Sequence, residues 1–90
     1  MPELIFTDSY EKRARKFFKK HPELAKPYGK VLKLLAANPW HPSLRLHKLH
    51  GNLAGIYSAS INLSYRINLQ FIVKDDAIVP IDIGSHDDIY

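Results

Sequence analysis

The chain has 90 residues, 46% of them apolar and 24% charged, with four Gly and six Pro, enough for one small domain and unlike disordered, collagenous or low-complexity sequence. It has no Cys, which excludes a disulfide framework, a thiolate zinc site and a Cys nucleophile. The formal charge is +4, and eleven of the thirteen Lys and Arg fall within residues 12–48, where Glu23 is the only acid; so segregated a charge attracts polyanions and puts nucleic acid or an acidic protein first among partner classes.

Pro2 to Thr7 carries Leu4, Ile5 and Phe6 and reads as a first strand. Asp8, with Glu11 three residues on, resembles a capping box and predicts a helix from that point. Along it Tyr10, Ala14, Phe17 and Phe18 recur at helical spacing, while Lys12, Arg13, Arg15, Lys16, Lys19 and Lys20 fall on the cationic remainder. His21-Pro22 breaks this helix, since proline disfavours the α conformation in the residue before it and suits a new first turn. A second helix follows, with Leu24, Tyr28, Val31, Leu32 and Leu35 apolar, and Asn38-Pro39 stops it near Ala37. Trp40 to Leu53 lacks a sustained period and reads as loop with one short strand. Ile56–Ile61, Tyr65–Val73 and Ile78–Ile83 then predict a three-stranded meander, and Gly84 to Tyr90 a polar tail.

The order β-α-α-β-β-β predicts an α+β fold, a single domain over 1–90 in which an N-terminal strand and a helical hairpin pack on an antiparallel sheet of about four strands. No apolar run reaches the ~20 residues of a membrane span, and Met1 to Phe6 lacks the basic region and apolar core of a signal peptide, so the expected location is the cytoplasm.

Histidine titrates nearest neutrality, so His41, His47 and His50 in one loop and His86 after the last strand are candidates for proton transfer or metal ligation. His-x5-His-x2-His is not a recognised metal spacing, and neither metal nor cofactor is expected. The cationic set Lys12, Arg13, Lys16, Lys19 and Lys20 runs on to Arg45, Lys48 and His50 and suits neutralisation of RNA phosphates. Arg66, inside a strand, either pairs with a carboxylate or clamps a phosphate in bidentate fashion. Tyr90 either folds back on the core or stacks on a nucleobase.

The stretch from Leu46-His47-Lys48-Leu49-His50-Gly51 to Gly55, the strand Ser64-Tyr65-Arg66-Ile67 and the ending Ile83-Gly84-Ser85-His86-Asp87-Asp88-Ile89-Tyr90 together resemble the RelE/ParE toxin superfamily, above all its RelE/StbE and YafQ-like branch. The resemblance spans the chain. It implies a small toxin of a type II toxin–antitoxin system, an mRNA interferase that cuts mRNA in the ribosomal A site without metal and is held inactive by a cognate antitoxin. Residue by residue, it implies an acid or base at His47 and another at His86, a transition-state stabiliser at Arg66 and a base-stacking aromatic at Tyr90, with the basic helices on ribosomal RNA. The family pattern also has a histidine and an aspartate where this chain carries Ser60 and Ser64, which leaves His47 and His86 to share the proton transfers. The alternatives within the superfamily are a ParE-like toxin that poisons DNA gyrase and a degenerate toxin that binds antitoxin without catalysis.

Overall fold

The computed structural model describes residues 2–51 and 55–85. Strand β1 (Glu3–Leu4) leads into α1 (Asp8–Lys20); a 3₁₀ turn at Pro22–Leu24 leads into α2 (Ala25–Ala37). A second 3₁₀ turn, Pro42–Leu44, precedes β2 (His47–Lys48), and β3 (Tyr57–Ser60), β4 (Tyr65–Ile72) and β5 (Ala77–Ser85) follow. The strands form one sheet in the order β1-β5-β4-β3-β2. The α+β prediction therefore holds, with a fifth strand of two residues at the β2 edge and a mixed sheet, because β1 runs parallel to β5 while the other pairs are antiparallel.

The cap of α1 is Thr7 and not Asp8. Thr7 is extended, and its hydroxyl accepts the Tyr10 amide at 3.1 Å, satisfying one of the helix's unpaired first-turn donors. Asp8 and Glu11 lie in the first turn and Lys19 and Lys20 in the last, each complementing the helix dipole. α1 ends where His21 leaves helical geometry ahead of Pro22, its amide still bonded to Phe17 at 3.0 Å.

One helix face meets one sheet face. Tyr10, Val31 and Leu35 from the helices pack with Leu44 and with Ala59, Ile67, Leu69, Ile78 and Ile83 of the sheet. The Tyr10 hydroxyl meets that of Tyr28 at 2.9 Å, and burial together with this neighbour pushes the Tyr10 phenol far above its ordinary titration range. Burial raises Tyr28 too, against the opposing effect of its bond to Tyr10. The two hydroxyls thus remain protonated, and the helices remain linked, throughout the physiological range.

Pro80 lies in a strand of the sheet's interior, a position that ordinarily needs every amide. Two features accommodate it. β1 pairs with β5 only at Ala77 and Ile78, so no strand among the described residues lies on that side of Pro80, and the ladder to β4 shifts register there, passing from Asn68↔Asp82 to Leu69↔Pro80.

Gly29 sits within α2, and a Cβ built on it meets nothing within 4 Å. Glycine in a helix costs ~0.5–1 kcal/mol relative to alanine. Gly29→Ala is therefore expected to stabilise the protein by about that amount, raising the melting temperature by roughly 4 °C; a calorimetric or circular-dichroism melt checks it.

Candidate active site

Successive residues of a strand face opposite sides of the sheet. Tyr65 packs against Phe17 and His21 at ring-centroid distances of 5.5 and 4.8 Å, so it faces the helices and Arg66 faces away. The cross-strand neighbours of Arg66 are Ser60 on β3 and Gly84 on β5; the next row on that face holds Ser58, Asn68 and Asp82, and His47 on β2 pairs with Ser58. Strand alternation and register thus bring two segments nineteen residues apart onto one surface.

The guanidinium of Arg66 is held from three directions. Its Nε donates to Ser58 Oγ at 2.6 Å, and its Nη2 donates to the Arg45 carbonyl at 3.2 Å and lies 3.3 Å from His47 Nδ1. Among the described residues its hydrogen-bond partners include no carboxylate, which is the first alternative raised by the sequence. The imidazole of His47 is anchored by the same carbonyl, with Nδ1 3.0 Å from Arg45 O. In the tautomer with hydrogen on Nδ1 the ring donates to that carbonyl and carries its lone pair on Nε2, the form a general base requires; in the other, Nδ1 accepts from Arg66.

Arg45 owes its part to its backbone. It caps the Pro42–Leu44 turn in the left-handed conformation, φ 47° and ψ 41°, which costs a residue other than glycine about 1–2 kcal/mol. Glycine would tolerate the geometry and a β-branched residue would not. Arg45→Val is accordingly expected to be less stable than Arg45→Gly by about 1–2 kcal/mol in denaturant melts.

The expected RNA-contacting residues divide. Arg13, Lys16 and Lys20 line a groove of about 260 Å³ between α1 and the Asp82–Gly84 end of β5, and Gly84 is the register partner of Arg66. The stripe of α1 therefore abuts the strand end beside the guanidinium. Arg13 reaches Asp82 at 3.2 Å, a pair only partly shielded from solvent that fixes orientation more than it stabilises. Lys12 and Lys19 are exposed on the same helix, and the Arg45 and His50 residues are exposed beside β2. Lys48 points to the opposite side of β2 from His47, its ammonium 5.9 Å from the Tyr57 ring centroid.

His86 and Tyr90 lie outside the described residues, as do the Asp87 and Asp88 that flank them in sequence. β5 ends at Ser85, paired with Tyr65. Ser60, buried, donates to the Asn62 carbonyl at 2.6 Å, and Ser64 takes part in the turn through its amide, which bonds Asn62 Oδ1 at 2.9 Å. His41 also serves local structure, its Nδ1 2.8 Å from Ser43 Oγ. Among the described residues no three His, Cys, Asp or Glu side chains gather as metal ligands.

Two contributors went unnoticed in the sequence: the Ser58 hydroxyl and the Arg45 carbonyl. The first had a signal, since Ser58 and Ser60 alternate with Tyr57, Ala59 and Ile61 and so mark the polar face of β3. The second had none, because a carbonyl belongs to every residue.

This architecture is that of the RelE/YafQ-like toxins. YafQ from E. coli strain BL21(DE3) superimposes with a TM-score of 0.80 at 14% identity, covering 100% of this chain and 99% of its own. A metal-bound toxin from Helicobacter pylori gives 0.81 at 21%, with both chains covered at 100%. YafQ in the E. coli DinJ–YafQ complex gives 0.78 at 14%, with 100% and 99% covered. At these identities the likeness is one of fold. No protein-family model and no curated protein matches the sequence.

Proposed function

We propose that this protein is the toxin of a type II toxin–antitoxin pair, an endoribonuclease that cuts mRNA in the ribosomal A site by metal-independent general acid–base chemistry. The observation that carries the reading is the placement of the Arg66 guanidinium 3.3 Å from His47 Nδ1, the two sharing the Arg45 carbonyl. RNA brings its own nucleophile, so a protein need only take the 2′-hydroxyl proton, bear the charge gathering on phosphorus and protonate the departing 5′-oxygen. A histidine beside an immobilised guanidinium supplies one proton-transfer group and the anion stabiliser.

His86 is the second proton-transfer group in this proposal and Tyr90 the stacking residue, both assigned from the resemblance of the terminal motif. The products are a 2′,3′-cyclic phosphate or 3′-phosphate and a 5′-hydroxyl. Lys12, Arg13, Lys16, Lys19 and Lys20, with Arg45, Lys48 and His50, hold ribosomal RNA, giving an affinity that falls steeply with salt. No helix among the described residues is long and apolar enough to cross a membrane, and a ribosomal substrate places the protein in the cytoplasm.

Expression in a bacterium with mapping of mRNA ends tests the proposal. Cuts at codon-defined positions that disappear with His47→Ala support it, whereas growth arrest with intact transcripts and trapped DNA–gyrase complexes rejects it for the ParE-like alternative. Binding of antitoxin with neither effect identifies the degenerate form.

A further inference from the structure

Trp40 plays no part in the site described above, and at 62% exposure its ring adds little to the hydrophobic interior. It is nonetheless held in place. Its amide donates to Asn38 Oδ1 at 3.2 Å, and the next amide, that of His41, donates to the Asn38 carbonyl at 3.0 Å. The indole lies nearly parallel to Phe71, with ring centroids 5.9 Å and planes 9° apart. Tyr57 stands edge-on to both rings, at 6.0 Å from Trp40 and 4.9 Å from Phe71. Tyr57 is the register partner of the buried Leu69, and Phe71 follows Leu69 by two residues on β4, so the cluster lies on the helix-facing side of the sheet. The result is a flat ring braced on one face by Phe71 and open to solvent on the other.

A groove of about 290 Å³ runs beside these rings toward Ile72, Val73 and Asp76. That lies just below the ~300–1,000 Å³ of sites for whole small molecules, room for one planar ring system and too little for a helix. The charge beside it is positive: Lys48 brings its ammonium to 5.9 Å from the Tyr57 centroid. Asp76, the single acid of the lining, immediately precedes β5, and the sheet order places β4 and β3 between β5 and the strand of Lys48. An aromatic face for a base with a cation nearby for its phosphate is how single strands of nucleic acid are held without reading their sequence.

Lys48 follows His47 on β2 and points to the other side of the sheet, and β2 is the sheet's edge, so the two sides meet around one strand. We propose that Trp40 is a base-stacking residue for RNA: a strand whose scissile phosphate lies at His47 and Arg66 crosses the β2 edge, sets a neighbouring phosphate on Lys48 and lays a base on the open face of the indole. The inference rests on the RNA-cleaving reading above and adds a base subsite on the opposite side of the sheet from the chemistry. It also gives Lys48, turned away from the catalytic face, a phosphate of its own.

Trp40 is the one Trp of the chain, so its fluorescence reports on this site alone. The test titrates the full chain at low salt with a labelled single-stranded RNA of about eight nucleotides, within the ~4–16 of single-strand sites, made uncleavable by 2′-O-methyl groups. Label anisotropy gives the affinity and indole emission gives the stack. Binding is expected to quench the emission, and replacing bases one at a time by abasic positions should restore it at one position. Trp40→Ala should weaken binding about 5- to 150-fold, the worth of one stacked base, and Trp40→Phe, which keeps a flat ring, should return it to within about threefold of wild type. Lys48→Gln should lower the salt slope of binding by about one. A circular-dichroism melt of each variant establishes that it folds.

Bound RNA with unchanged emission would overturn the inference, as would quenching that survives every abasic replacement, an affinity of Trp40→Ala within about threefold of wild type, or no binding of the RNA at all. A wild-type dimer dissolved by Trp40→Ala would give the cluster to a second copy of this chain and also overturn it. Cleavage on programmed ribosomes, measured alongside, separates the two readings: cleavage without stacking removes this inference and leaves the nuclease, whereas stacking without cleavage removes the nuclease and leaves the base site.

Discussion

His47→Ala is expected to lower the rate of RNA cleavage about 10²–10⁴-fold, the usual worth of a positioned proton-transfer group. The ring is exposed, so the substitution should cost less than about 1 kcal/mol of stability, which separates a chemical from a structural cause. Binding of RNA, dominated by the lysines and arginines, should change little and keep its salt dependence. Single-turnover cleavage of a short RNA on programmed ribosomes, beside a thermal melt of each variant, measures both quantities. A rate within about threefold of wild type would remove His47 from the mechanism.

Arg66→Lys is the second large effect. It preserves the charge but not the planar fork, and a lysine cannot reproduce the geometry that bonds Ser58 Oγ through Nε while Nη2 reaches the Arg45 carbonyl. A rate loss of about 10²–10³-fold is expected, comparable to removing one transition-state donor. Stability should fall as well, because Ser58 is 0% exposed and a buried hydroxyl deprived of its partner costs ~1–3 kcal/mol. Ser58→Ala separates the two causes. It leaves the guanidinium in place but less constrained, so cleavage should fall only about fivefold to tenfold, the net value of one ordinary hydrogen bond. Equal activity in Arg66→Lys and wild type would show that a simple positive charge suffices there.

The elements were legible wherever periodicity is strong. Tyr10, Ala14, Phe17 and Phe18 marked α1, and the β-rich runs after Gly55 marked the meander, because burial on one face imposes those spacings. The first cap was misread by one residue since Thr7 and Asp8 are both good capping residues, and only the extended backbone of Thr7 decides between them. The pairing of β1 alongside β5 was not legible, as strand partners far apart in sequence are chosen by the closed fold and not by either segment alone.

At the site, residue types were readable and their convergence was not. His47 and Arg66 stood out as chemically capable side chains, whereas their mutual distance depends on the register of β2 on β3 and of β3 on β4. The Arg66 partner was undecided between a carboxylate and a phosphate until the strand alternation showed serine and a backbone carbonyl around it. Lys48, read in the sequence with Arg45 and His50 as a phosphate contact, lies on the opposite side of β2 from His47 with its ammonium near the Tyr57 ring, a distinction that only a strand's period of two can make.

Strand β2 is two residues long, held by the pairs His47↔Ser58 and Lys48↔Tyr57 and by the Leu49 amide on the Ile56 carbonyl at 2.9 Å. A slip of one position exchanges what each side of the strand presents: an ammonium would take the place of the imidazole, and nothing there could ferry protons at neutral pH. So short an edge also opens far more readily than the centre of a sheet. If His47 acts as proposed, fraying of a few backbone hydrogen bonds at this margin would displace the imidazole while the hydrophobic interior stayed intact, at a cost in free energy far below that of unfolding.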